Sequence, residues 1–531
     1  MPDSPTSPKV ISDSGQLLNQ GNNCKVSEAK KHSYGQILKS SALIGGSSVL
    51  NIGLGMVRTK AIALILGRAG VGLFGVYGLV NDLTRSIAGM GVNTSGVRQI
   101  AEAVGSGDAQ RIGRTVTVLR RVAFCSGTIG ALLLLALCKP ISWLTFKDYQ
   151  HTGSVALLAL AVFFGDISQG QAALVQGMRR IADLARMSVW GAFFGTLFSV
   201  PIVYFFHEDG VAPSLVCVAA MGILTSWWYA RKIKVERVRL TMHQAREEIS
   251  SLLRLGVVFM TTGMMPLGAG YLVNIIMLRK FDLAAVGCYS AASTLGIQYV
   301  KFITDAMGAD FYPRLTAVAS DHQECNRLVN EQAEVGLLLA VPGVIATLTF
   351  APLVIWLFYS SAFVPAVEIL RWICLGMMLR VVSWPMGFIL VAKGERKLFF
   401  LTELLANGLF VFLVWAGLTV FGLKGSGIAF FGLYVVYWTG IYFVVRRLSG
   451  FRWSRANLRL AAIFAPGIAA VFVSWYELPR IATVILGATL TLLTGIYSLK
   501  TLCTLVPLER LPKPAQKIIL FFQLAPPKPE G

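Results

Sequence analysis

The chain has 531 residues, of which 55% are hydrophobic and only 14% charged, and its mean hydropathy is +0.64. Soluble proteins of ordinary composition carry about a quarter charged residues, so a water-soluble globular fold is excluded and an all-α polytopic membrane protein is expected. The net charge of +21 would alone suggest nucleic acid, but its distribution along the chain assigns it to membrane topology, and no nucleic-acid partner is expected. The eight cysteines and five histidines are scattered without CxxC or HExxH spacing. That pattern gives neither a disulfide framework nor a zinc site, and neither a metal nor a cofactor is expected.

Residues 1–36 are polar, rich in Ser, Asn and Lys, and lack the apolar core of a cleavable signal peptide. They are expected as a disordered cytoplasmic tail. A spanning helix needs about 20 apolar residues. Runs of that length occur at 38–65, 71–96, 116–138, 153–177, 185–206 and 211–230, and together they predict an N-terminal six-helix bundle over 37–230. The basic joint 231–251, RKIKVERVRLTMHQAREEISS, has an amphipathic look and is expected as a cytoplasmic linker helix. Runs at 252–278, 284–309, 334–358, 364–392, 398–420 and 425–445 predict a second bundle over 252–447. An extra helix pair within 448–505, near 458–476 and 481–504, precedes a cytoplasmic tail at 506–531. The sum is about 14 transmembrane helices.

Landmarks of the first bundle recur in the second in the same order. Gly75-Val76-Tyr77 corresponds to Gly287-Cys288-Tyr289, Met90-Gly91 to Met307-Gly308, and Gly177-Met178-Arg179-Arg180 to Gly394-Glu395-Arg396-Lys397. Gly191 corresponds to Gly408 and Arg231-Lys232 to Arg446-Arg447, the offset staying between 212 and 217. Six helices per repeat is an even number, so two parallel six-helix repeats enter the membrane in the same direction. Duplicated transporter bundles of this kind place the substrate path between the halves.

Orientation follows from the short loops. With both termini in the cytoplasm, the inner loops hold 25 Lys and Arg and the outer loops seven, the asymmetry that fixes topology and that also sits against anionic lipid headgroups. No outer loop is long enough to carry the acid and base groups of a membrane enzyme, and nucleophile or metal motifs are missing, so no enzymatic activity is expected. Gly70-Val71-Gly72-Leu73-Phe74-Gly75 formally matches GxGxxG, but it opens a spanning helix with no preceding strand and is rejected as a nucleotide site.

Six basic residues remain inside the bilayer: Arg58, Lys60, Arg85, Lys301, Arg371 and Arg380. The acids there are Asp82, Asp166, Asp305, Glu368 and Glu403. A charge at that depth costs about 3 kcal/mol on the mildest scale. Asp82 with Arg85, Lys301 with Asp305 and Glu368 with Arg371 have the spacing of neutralising pairs on one helix face, which makes them either structural ion pairs or the lining of a wet, substrate-binding cavity. Arg85 and Lys301 hold nearly equivalent places in the two repeats, and Arg58, Lys60 and Arg380 have no acid at pairing distance on their own helices. Both features favour a cation-lined cavity for a phosphate-bearing ligand. The five acids are candidates for binding a coupling ion, H⁺ or Na⁺.

The run ILGRAGVGLFGVYGLVNDLTRSIAGMGVNTSGVRQIAEA, Ile65 to Ala103, resembles the opening of polysaccharide transporters in the multidrug/oligosaccharidyl-lipid/polysaccharide exporter superfamily, and most of all Wzx-type O-antigen translocases. The duplicated bundles, the GMRR and GERK turns and the extra helix pair are similar too. The resemblance implies a flippase of the bacterial inner membrane, working by alternating access on an undecaprenyl-pyrophosphate-linked oligosaccharide, an O-antigen or related surface-polysaccharide repeat unit, with polysaccharide polymerase machinery as a further partner. The alternative is a cation-coupled multidrug or small-molecule antiporter of the same superfamily, whose cavity would favour acids and aromatics over cations.

Overall fold

The computed structural model describes residues 14–235 and 242–505, with side chains from Gly45 onward except for several within 242–262 and 305–310. All regular structure among the described residues is helical. The expected tail at 1–36 is helical from Ser14, while residues 1–13, part of the linker (236–241) and the tail from 506 lie outside the described residues.

Helix α1 (Ser14–Gly89) is broken at Gly67, whose φ of 65° and ψ of −155° leave the helical region. The break divides it into limbs 14–66 and 68–89. The expected span 71–96 stops earlier than its apolar sequence does. Met90 and Gly91 take left-handed conformations, φ 41° and 65°, and a separate helix, α2 (Val92–Ser106), follows. It buries Val92, Ile100 and Ala103 and leaves Arg98 and Glu102 paired at 2.7 Å in the open. Then come α3 (Ala109–Phe146), α4 (Thr152–Gly177), α5 (Ile181–Phe206) and α6 (Val211–Ala230). The second set is α7 (Met242–Lys280), α8 (Leu283–Ala317), α9 (His322–Thr349) with its short continuation α10 (Ala351–Phe358), α11 (Pro365–Ala392), α12 (Arg396–Phe421) and α13 (Gly425–Ser449). Helices α14 (Arg455–Glu477) and α15 (Arg480–Leu505) close the chain.

Nine stretches among the described residues are long and apolar enough to cross a membrane, and three of them, 45–89, 181–230 and 396–449, each contain two helical segments. Helices α7 and α8 are outside that set; α8 carries Ser290, Ser293, Thr294 and Gln298 among its apolar residues. Helices α9 and α11 are the interior ones. Of the apolar window of α11, 61% is buried, against 22% for α14 and for α15, whose outward Leu, Ile and Val side chains face the space lipid fills.

The duplication is visible in backbone geometry and fixes its register. Helix α5 starts at Ile181 and α12 at Arg396, 215 positions on. The turn before each has the same hydrogen bonds: Met178, Arg179 and Arg180 donate to Leu174, Gln176 and Val175, as Lys393, Gly394 and Glu395 donate to Ile389, Val391 and Leu390. The left-handed residue is Arg179 in the first turn (φ 56°) and Gly394 in the second (φ 76°). Gly177 is therefore not the partner of Gly394, although the letters suggested it. After α5 and α12 the pattern repeats, with His207 (φ 50°, ψ −128°) and Gly422 (φ 64°, ψ −149°) at the same register. Asp108 and Asp321 cap α3 and α9, each accepting from the two backbone N–H groups two and three residues on, the usual N-cap geometry. One landmark diverges: Met90-Gly91 interrupts the backbone, whereas Met307-Gly308 lies inside the uninterrupted α8.

The halves touch at both ends of the limb 68–89. Near its start, a Cβ on Gly72 would stand 2.0 Å from the Leu283 carbonyl oxygen, and one on Gly287 would stand 1.9 Å from that of Arg68. Beyond its end, a Cβ on Gly91 would stand 2.2 Å from the Gly256 carbonyl oxygen, and one on Gly256 would stand 2.2 Å from that of Met90. Only glycine permits backbones this close. Replacing Gly287 by Leu forces α1 and α8 apart and is expected to cost about 1–3 kcal/mol, seen as a lower midpoint of thermal unfolding in detergent, whereas Gly78→Leu, where a Cβ meets open space, leaves the midpoint nearly unchanged.

Candidate functional site

Among the described residues each half holds a cavity. The larger, about 1590 Å³, is walled by α7, α8, α11, α12 and α13; the smaller, about 540 Å³, by α1, α4, α5 and α6. The walls are equivalent at the 215-residue register. Ser168 and Ser383, Leu184 and Phe399, Ser188 and Glu403, Ala192 and Asn407, and Gly222 and Tyr437 line their respective cavities in pairs. One architecture has thus produced two chemically different chambers. The smaller presents Ser, Thr, Gly and apolar residues with Asn51 and Arg58; in the larger the paired positions carry Phe399, Glu403, Asn407 and Tyr437.

In the larger cavity Arg380 projects from α11, with its guanidinium 6.0 Å from the Tyr434 ring centroid. Tyr437 donates from its hydroxyl to Glu403 Oε1 at 3.4 Å, one turn of α13 away from Tyr434. Trp384 and Phe388, centroids 4.8 Å apart, supply a second ring wall. Arg396 and Lys397, in the turn that starts α12, line the mouth. In the smaller cavity Arg58 lies 5.4 Å from the Phe74 ring centroid, and its Nε is buried with no hydrogen-bond partner among the described residues.

The remaining intramembrane charges are elsewhere. Arg371, expected in a cation-lined cavity, is 0% exposed and donates to the carbonyl oxygens of Leu348, of Val471 at 3.1 Å and of Phe472 at 2.9 Å, with Trp475 4.8 Å beneath it. It ties α11 to α9 and α14 and belongs to neither cavity. Lys60 is corrected likewise: its Nζ donates to the carbonyl of Trp356 at 3.2 Å and to that of Leu357, capping the last turn of α10, whose carbonyls lack intrahelical partners. Arg85 turns to Asp166 on α4, Nε to Oδ1 at 3.6 Å, rather than to Asp82 on its own helix. Asp82 accepts from Asn81 at 3.2 Å. Glu368 accepts from the Tyr476 hydroxyl at 2.7 Å, so this hydroxyl, not Arg371, is its hydrogen-bond donor. Lys301 is exposed on α8 and lines neither cavity. The Asp305 side chain lies outside the described residues. The structure thus places Arg380 and Glu403 together, Arg58 alone, and the other described candidates outside the chambers.

Arg327 near the start of α9 binds both Glu324 and Glu331.

Residues 61–368, more than half of the chain, match the family model described as polysaccharide biosynthesis protein. The chain belongs to that family. Among curated relatives of this polysaccharide biosynthesis chain is the lipid III flippase of Escherichia coli strain K12, 23% identical over 423 residues, covering 77% of this chain and 99% of the relative. Its fold is shared with solved structures: the lipid II flippase MurJ in an inward closed conformation (TM-score 0.64, 11% identity, 86% of this chain and 98% of that one), and a multidrug resistance MATE family transporter of the MOP superfamily in an inward-facing conformation (TM-score 0.59, 16% identity, 75% and 94%).

The rings and amide of the larger cavity were missed by reasoning from charge alone. The signal was available: Tyr434 and Tyr437 are three residues apart on α13, hence on one face, and the register pairs Tyr437 with Gly222. The placement of the cations separates two kinds of variant in this family member. Arg371→Ala removes a charged donor from the buried carbonyls of Leu348 and Val471 and the part-buried carbonyl of Phe472 and is expected to cost on the order of 3 kcal/mol, read as loss of monodisperse protein after detergent extraction. Arg380→Ala, whose guanidinium faces the cavity, is expected to extract and elute like the parent.

Proposed function

We propose that this chain is a flippase for an undecaprenyl-pyrophosphate-linked oligosaccharide, an O-antigen or related surface-polysaccharide repeat unit, in the bacterial inner membrane with both termini cytoplasmic. The observation that carries the reading is the larger cavity. At about 1590 Å³ it exceeds the roughly 300–1,000 Å³ of small-molecule pockets, which suits an oligosaccharide. Its mouth bears Arg396 and Lys397, whose side chains suit a diphosphate. Family membership and a relative named lipid III flippase support the same substrate class, and a polyprenyl tail need never leave the bilayer. Rocking of the two bundles, 37–230 and 252–447, carries the headgroup across; H⁺ or Na⁺ coupling and handover to polymerase machinery complete the scheme.

The antiporter reading draws on the fold shared with MATE transporters and on Glu403 among rings. The basic mouth disfavours it, because a cationic drug would be repelled there. Deleting the gene is expected to leave the completed lipid-linked repeat unit on the cytoplasmic leaflet and to deplete surface polysaccharide, with drug sensitivity unchanged. Arg380→Ala is expected to restore flux on complementation only to about a tenth to a hundredth of the parent level, the loss of one or two charge-assisted hydrogen bonds. Normal polysaccharide with raised drug sensitivity in the deletion strain would overturn the flippase reading in favour of the antiporter.

A further inference from the structure

We propose that the inner part of the larger cavity is a carbohydrate site for uncharged sugar rings, separate from the place where the diphosphate is held. The inference rests on the flippase reading and deepens it by dividing the ligand between two chemistries.

The argument starts from the paired walls. At the equivalent register the smaller cavity has Leu184, Ser188, Ala192 and Gly222 where the larger has Phe399, Glu403, Asn407 and Tyr437. Four substitutions in one direction convert a small, hydroxyl-lined chamber into one that alternates ring faces with fixed hydrogen-bonding groups. That alternation matches a pyranose, which presents C–H groups on its faces and hydroxyls around its rim. Aromatic faces carry negative charge density that attracts the polarised C–H groups, while a carboxylate, an amide and a guanidinium satisfy the rim hydroxyls as acceptors and donors. An acyl chain would leave the remaining hydrogen-bonding capacity of Glu403, Asn407 and Arg380 desolvated and unmet, which is costly.

Charge assigns the diphosphate elsewhere. Deep in the cavity the guanidinium of Arg380 and the carboxyl group of Glu403 face the same space, so a diphosphate there would gain one cation and meet one acid. At the mouth Arg396 and Lys397 stand side by side, beside Gly394. The order from mouth to floor, cations first and rings with hydroxyl-binding groups behind them, is the order diphosphate then sugar of a lipid-linked oligosaccharide whose tail stays in the bilayer. The chamber therefore selects a repeat unit whose buried residues are neutral, with Glu403 disfavouring a uronic acid beside it.

The test uses the full-length protein purified in detergent and three probes: the lipid-linked oligosaccharide from the cells of origin, the oligosaccharide freed from its lipid diphosphate by mild acid, and undecaprenyl pyrophosphate without sugar. Saturation-transfer NMR is expected to show the free oligosaccharide receiving magnetisation from aromatic protons. Trp384→Ala and Glu403→Gln are expected to weaken its binding about tenfold and to leave binding of undecaprenyl pyrophosphate unchanged. Tyr437→Phe, which keeps the ring, is expected to weaken it severalfold, so the site is still tested if Trp384→Ala fails to fold. Retention of oligosaccharide binding by Glu403→Gln and Tyr437→Phe overturns the assignment, and so does failure of the free oligosaccharide to bind a protein that binds the lipid-linked form. A protein that binds neither the lipid-linked oligosaccharide nor undecaprenyl pyrophosphate overturns the flippase reading itself.

Discussion

The hydrocarbon core of a bilayer offers no water, so every carbonyl, amide and charge inside it must find a partner within the protein. That requirement decides where the intramembrane cations of this chain go. Arg371 serves three carbonyls on α9 and α14, and Lys60 serves the end of α10. At the end of α7 Arg279 donates to the Leu144 carbonyl and Lys280 to that of Trp415. Several of these cations also lie over tryptophan rings, which adds attraction where water is scarce. They act as rivets between helices. Among the described intramembrane candidates, Arg58 and Arg380 are the ones among the cations that line the cavities.

The second organising fact is duplication with divergence. Turn hydrogen bonds, N-caps and left-handed residues coincide at a nearly constant register, so the two halves inherited the same helix skeleton. The cavities sit between equivalent helices of that skeleton, yet their side chains differ in size and polarity. A backbone that already encloses a chamber can change what it accepts by changing a handful of inward residues, without disturbing the ridge-and-groove contacts outside them.

Much of this architecture was readable in the sequence. Long apolar runs, the charge asymmetry of the loops and the recurring Gly and Arg landmarks gave the all-α membrane class and the repeat, because each follows from a single strong rule. Two things were not. Apolar sequence continues past Gly89, and only the backbone shows that Met90 and Gly91 turn it into a separate helix. The roles of the charges were also hidden. Helical spacing offers Asp82 to Arg85 and Glu368 to Arg371, but Asp166 and Tyr476 lie on other helices and win by proximity in three dimensions. A carbonyl acceptor leaves no mark in the sequence at all, so the partners of Arg371 and Lys60 had no signal to read.

The glycine contacts between the halves carry a mechanical consequence. Each brings main chain directly against main chain, with buried side chains such as Val76 and Val286 packed beside the one at Gly287. The spacing of the two halves at these points is thus set by the backbones themselves, and any side chain added there acts as a wedge.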